Sequence, residues 1–109
     1  MSAASERIRA LNDTFRTTYV GGNVMLTRGV AALPPDAQLA ITRAVQSFND
    51  FTPDNDPYGE HDFGSIEYSG ERIFWKIDCY NKALEAGSEN PADPTVTTRV
   101  LTIMLAEEY

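Results

Sequence analysis

The chain has one cysteine, one histidine and one tryptophan among 109 residues, and each scarcity closes off a class of explanation. A single thiol, Cys79, cannot close a disulfide within the chain. No covalent staple is therefore expected to hold this fold, and such cysteine usage points to a reducing, cytoplasmic setting. One His and one Cys are too few for a structural zinc site, which takes several such ligands. No apolar run approaches the ~20 residues that cross a bilayer, so no membrane partner is expected. The stretch 1-MSAASERIRALNDTF-15 lacks the uninterrupted apolar core of a secretory signal. Positive charge is scarce too: nine Lys and Arg stand against sixteen Asp and Glu, a net charge of −7. The deficit is uneven, with five basic and four acidic residues in 1–52 (+1) but four basic and twelve acidic in 53–109 (−8). Binding to a phosphate backbone needs clustered Lys and Arg, so direct contact with nucleic acid is not expected of the second half. A basic protein partner or a cation would be drawn instead.

What is present suffices for one folded unit. Hydrophobic residues make up 42% of the chain, which argues against disorder, and the length suits a single domain over 1–109. Ser5 is a candidate N-cap for a first helix carrying Ile8, Leu11, Phe15 and Tyr19 at spacings of three and four, ended by Gly21-Gly22. Residues 23–28, NVMLTR, read as a strand. Pro34-Pro35-Asp36 opens a second helix, with an apolar face of Leu39, Ile41, Ala44, Val45 and Phe48, that stops near Asn49-Asp50. Residues 65–68 and 72–80 form a hairpin around Ser69-Gly70-Glu71. In its second strand Ile73, Trp75, Ile77 and Cys79 alternate with Phe74, Lys76, Asp78 and Tyr80, which makes Trp75 a core anchor. A second loop, 86-AGSENPADP-94, leads to Asp93 and Pro94. These read as the cap and first position of a last helix, with Val96, Val100, Ile103 and Met104 on a face widened by Leu101 and Leu105. A strand is the minority reading there, because β-branched residues are frequent. The expected fold is α+β, in the order α-β-α-β-β-α, with a small antiparallel sheet (one strand plus a hairpin) covered by about three helices. A last helix so broadly apolar asks for cover on two sides, which motivates a homodimer.

The chemistry-bearing residues crowd into 53-PDNDPYGEHDFG-64, around the sole histidine. Asp54-x-Asp56-x-Tyr58-Gly59 opens like a calcium loop but fails at its fifth position, Tyr58, and its twelfth, Ser65. A carboxylate site for magnesium or manganese with His61 is conceivable, as is acid–base work by His61 with Asp56 or Asp62. A Cys79–His61 nucleophilic pair is disfavoured, because Cys79 keeps register with the core residues. The simpler reading is mechanical: Asp and Asn side chains bond nearby amides and shape turns without a ligand. Ser88, Glu89, Asn90 and Asp93 are expected to do the same in the second loop, and the two loops meeting at one end of the sheet would make an acidic rim with Asp78 and Tyr80.

The segments NDPYGEHDFG, FWKIDCY, GSENPADP and TRVLTIMLAEEY resemble a bacterial family of short proteins known as domain of unknown function 3768, from about Glu6 to Tyr109. The resemblance implies a cytoplasmic protein of mobile elements and brings no established activity, so it carries over no catalytic residue. Where that family usually reads KIDYYD, this chain has Lys76-Ile77-Asp78-Cys79-Tyr80-Asn81.

The functional expectation is a non-enzymatic protein-interaction module. In a sharper form it is an inhibitor whose acidic surface imitates nucleic acid and blocks a defence or nucleic-acid enzyme. The alternative is a small enzyme or metal-binding protein using Asp54, Asp56, His61 and Asp62. The binding residues expected are Asp54, Asp56, Tyr58, Glu60, His61, Asp62, Asp78 and Tyr80; no catalytic residue, metal or cofactor is assigned.

Overall fold

Ser2, not Ser5, starts the first helix in the structure, a computed structural model that describes residues 2–109. The extended Ser2 backbone places its hydroxyl to accept the Ser5 amide at 3.0 Å, and helix α1 runs Ala3–Thr18. Glu6 in the first turn and Arg16 in the last complement the helix dipole. The helix stops before the glycine pair, at Tyr19, whose left-handed backbone (φ 58°) lets its amide reach the Phe15 carbonyl. The Tyr19 hydroxyl donates to the Thr42 carbonyl at 2.6 Å, and burial raises its pKa to about 12.

Gly22 therefore belongs to strand β1, Gly22–Leu26, and it has to be glycine: a Cβ there would lie 2.5 Å from the Arg99 carbonyl oxygen and 2.7 Å from the Phe15 ring. A four-residue helix α2 (Arg28–Ala31) leads to α3 (Pro35–Ser47), whose buried Ala37, Ile41 and Val45 recur every four residues. Strand β2 (Phe63–Tyr68) and strand β3 (Glu71–Tyr80) form the expected hairpin, turned by Ser69 and Gly70 with φ of 51° and 83°, as a tight two-residue turn requires.

The last segment corrects the sequence reading. Thr98–Leu105 is strand β4, followed by a 3-10 turn over Ala106–Glu108. Asp93 caps no helix; its carboxylate accepts from the Thr95 amide and hydroxyl (2.9 and 2.7 Å), which holds it below the ordinary carboxylate range. The error has a physical origin. Strand β4 is central, so Val100, Leu101, Ile103 and Met104 are buried on both its faces. The resulting run lacks alternation and mimics a wide helical stripe.

The sheet order is β1-β4-β3-β2. Strand β4 runs antiparallel to β3, with Trp75 opposite Ile103, and parallel to β1, with Val24 opposite Leu101. The fold is α+β, but the sheet is four-stranded and mixed, and the element order is α-β-α-α-β-β-β. All the longer helices lie on one face. Phe15, Val30, Ile41 and Val45 pack there on Ile73, Trp75, Ile77, Leu101 and Ile103 as one core. Burying each of these larger side chains contributes roughly 1.5–3 kcal/mol. The wide helix that motivated a dimer is thus absent.

Candidate functional site

The loop before β2 is built by its own short polar residues. Asn55 accepts the Thr52 amide at 2.8 Å and donates to the Asp50 carbonyl at 2.8 Å. The Asp56 carboxylate, almost fully buried, accepts the His61 amide at 3.1 Å. Gly59 and His61 both turn through left-handed backbone, at φ 66° and 53°. This fold-back aims the His61 ring at α1. Its Nδ1 lies 2.9 and 3.1 Å from the two Asp13 carboxylate oxygens, its Nε2 3.5 Å from Asp56 Oδ2, and the ring stacks on Phe51 at 3.7 Å and 3°. The imidazole is thus held between two carboxylates and on an aromatic face.

Asp13 is shared with Arg16, whose Nη2 lies 3.3 Å from it. The Arg16 guanidinium is buried against the Trp75 and Phe51 rings, 5.1 and 5.5 Å from their centroids. Its Nη1 donates to the carbonyls of Val45, Gln46 and Phe48 at 2.8, 3.3 and 2.9 Å, satisfying the C-terminus of α3. One residue before Asp13, Asn12 ties the two loops together. It donates to the Glu60 carbonyl at 2.9 Å and accepts from Arg99 Nε at 2.8 Å, while Arg99 Nη2 donates to the Pro91 carbonyl at 2.6 Å. Both loops therefore gather at one end of the sheet, linked by Asn12 and Arg99.

Burial pushes the Asp62 carboxyl above its ordinary range, with Asp56 and Asp78 adding to the rise. Glu60 rises chiefly through burial and then through Asp62 and Asp56. Cys79, half-buried, has its thiol raised by burial, which keeps it protonated and poorly nucleophilic.

The eight residues expected from sequence fall in two places. Asp56 and His61 meet at the wall of an open cleft of about 550 Å3, which Arg9, Phe51 and the exposed Tyr58 also line. Asp54 stands exposed on the loop and does not line this cleft; Glu60 and Asp62, both half-buried, do not line it either. Asp78 and Tyr80 lie on the opposite face of the sheet, where they line a separate depression of about 440 Å3, and Asp78 pairs with Lys76 at 2.7 Å. That contact raises the Lys76 pKa. Asp62 does not partner the His61 ring; Asp13 does, a residue the sequence reading left out. Its signal was the phase of α1: Asn12 and Arg16 sit on the buried face with Ile8 and Phe15, where a polar side chain needs a tertiary partner. Among the described residues no three His, Cys, Asp or Glu side chains are grouped so as to hold a metal ion.

The second face of the sheet carries no long helix. Phe63 and Ser65 of β2, Phe74, Lys76, Asp78 and Tyr80 of β3, Val100, Thr102 and Met104 of β4 and Met25 of β1 share it by register. The C-terminal turn folds onto this face, with the Tyr109 ring 6.0 Å from Phe63 and 5.5 Å from Phe74, and Leu84 of the turn after β3 borders it. Glu108 pins that turn, accepting from Thr27 Oγ1 (2.6 Å) and from the Gly29 and Leu105 amides (both 2.9 Å). These bonds, the Thr27 hydroxyl foremost, hold the Glu108 carboxyl below its ordinary range. No helix of the described residues is long and apolar enough to cross a membrane.

No curated protein and no solved structure matches the chain. A family model matches residues 26–108, from the end of β1 through the C-terminal turn, so α1 with Asn12, Asp13 and Arg16 precedes the matched span. The chain belongs to the family of proteins of unknown function DUF3768.

Proposed function

We propose that this protein is a non-enzymatic binding module that docks a basic protein partner on the helix-free face of its sheet. The observation that carries this reading is the composition of that face: Met25, Tyr80 and Leu84 line a depression together with a charged pair, Lys76 and Asp78, with no long helix over them. Exposed apolar and aromatic side chains set around a central charged pair make a surface on which a partner can dock. The partner's basic character follows from the charge of −7, which steers cationic surfaces toward the molecule. The acidic-mimic form draws less support. Asp56, Glu67, Asp78, Asp93 and Glu108 all engage groups of their own chain instead of standing in an outward row. The test compares proteins co-purified with the wild type, with Tyr80→Ala/Leu84→Glu and with His61→Ala. A partner lost from the face variant, kept by His61→Ala and weakened by salt supports the reading. An identical set recovered by all three overturns it.

A second reading keeps one observation in its favour: His61 is oriented by Asp13 at the wall of the 550 Å3 cleft, as an acid–base imidazole would be. Against it, Nε2 faces the Asp56 carboxylate instead of open solvent. A thermal-shift screen with divalent cations and small metabolites separates the two, because a ligand of this cleft raises the melting temperature of the wild type but not of His61→Ala.

A further inference from the structure

Strand β1 lies at the edge of the sheet, paired on one side only. The Thr27 amide donates to the Ile103 carbonyl, which fixes the phase of the parallel ladder. By the two-residue period of a strand, Asn23 and Met25 direct their backbone groups to β4, while Gly22, Val24 and Leu26 turn theirs to the open edge. That edge lacks two of the usual protections. Residues 22–27, GNVMLT, contain no charge and no proline. Val24, Met25 and the neighbouring Val20 are exposed. The opposite edge differs: Glu60 and Asp62 precede β2, and Glu67 lies within it. Two copies of β2 would meet like charge with like charge, whereas two copies of β1 would not.

We propose that β1 pairs antiparallel with β1 of a second copy of this chain, about a dyad at Val24. The outward groups match themselves in that register. Val24 exchanges both backbone bonds with the partner's Val24, and Gly22 does so with the partner's Leu26. The contact is isologous and closed, so it ends at two chains. The dyad is normal to the sheet, so the helices of both copies stay on one side and the helix-free face stays open. The pairing is therefore independent of the docking proposed above.

The interface is one short strand wide, so the dimer is concentration-dependent. Sedimentation equilibrium of the wild type, from low micromolar to millimolar, is expected to move from 12.1 kDa to about twice that mass. Val24→Pro removes an outward amide and leaves the inward ladder bonds, and it is expected to weaken dimerisation about tenfold or more. Val24→Lys and Val24→Glu each place like charges at the dyad and are expected to be monomeric alone, while their equimolar mixture regains the dimer. Amide exchange at Gly22, Val24 and Leu26 of the wild type should slow with concentration, a readout that needs no variant. A monomeric wild type throughout, a Val24→Pro protein that dimerises as before, or edge amides indifferent to concentration would each overturn the proposal.

Discussion

Replacing Arg16 is the perturbation with the largest predicted consequence. Its guanidinium is nearly inaccessible, and Nη1 serves three carbonyls at the end of α3. A bond from a charged donor contributes roughly 1.5–3 kcal/mol, and the two shorter ones here, at 2.8 and 2.9 Å, set the scale. Asp13 is more than a third exposed, so losing Arg16 does not strand it as a buried charge, and its contribution is discounted. Arg16→Leu fills part of the volume beside Phe51 and Trp75 but removes the charged donor from all three carbonyls, leaving Val45 only the Phe48 amide at 3.3 Å. The expected loss is about 3–4 kcal/mol, a large share of the roughly 5–15 kcal/mol that holds a domain of this size. At about 4 °C per kcal/mol, the melting temperature falls by about 12–16 °C. Arg16→Lys keeps the charge but loses the planar fork, and roughly half that loss is expected. Urea unfolding followed by the fluorescence of Trp75, the sole tryptophan and 5.1 Å from the Arg16 guanidinium carbon, measures both variants directly. A loss under about 1 kcal/mol for Arg16→Leu would falsify the assignment of this residue as the cap of α3.

Gly64→Ala places a Cβ 2.3 Å from Trp75 Nε1, against a fully buried ring. Overpacking of this kind costs about 1–3 kcal/mol, and differential scanning calorimetry should show a matching drop. Asp62→Asn tests the acidic loop. The folded pKa of Asp62 is raised, so its contribution favours folding fully below the ordinary carboxylate value and is lost as pH rises through the folded one. The amide should therefore stabilise the protein at pH ~7, with the gain shrinking toward zero by pH ~4. Glu108 has the opposite sign. Its folded pKa is depressed, so its contribution is present above the ordinary value and lost as pH falls through the folded one. Glu108→Gln should loosen the C-terminal turn at neutral pH and change little in acid, measured as amide exchange at Gly29 and Leu105.

Whatever rests on residues near one another in the chain could be read from the sequence. The hairpin followed from alternation and a glycine turn, and α3 from its proline start and the apolar Ile41 and Val45, although Leu39, expected on the same face, is exposed and Ala37 is buried instead. The turns of the 53–62 loop were legible because Asn55 and Asp56 bond groups within about one helical turn of themselves, whereas its anchoring to Asn12 and Asp13 of α1 was not. The start of α1 was misplaced because Ser2 and Ser5 offer the same hydroxyl chemistry, and backbone geometry alone selects between them. Strand β4 was misread because burial on two faces erases the period that distinguishes a strand from a helix.

Composition and local pattern thus determined the α+β class, the negative charge and the turn-forming character of the acidic loop. Tertiary structure alone decided that Asp13 meets His61 across 48 residues, that Asn12 meets Arg99 across 87, and that β1 runs parallel beside β4. Contacts at such separations depend on chain closure and on which faces are left to be covered, and no local window of residues encodes either.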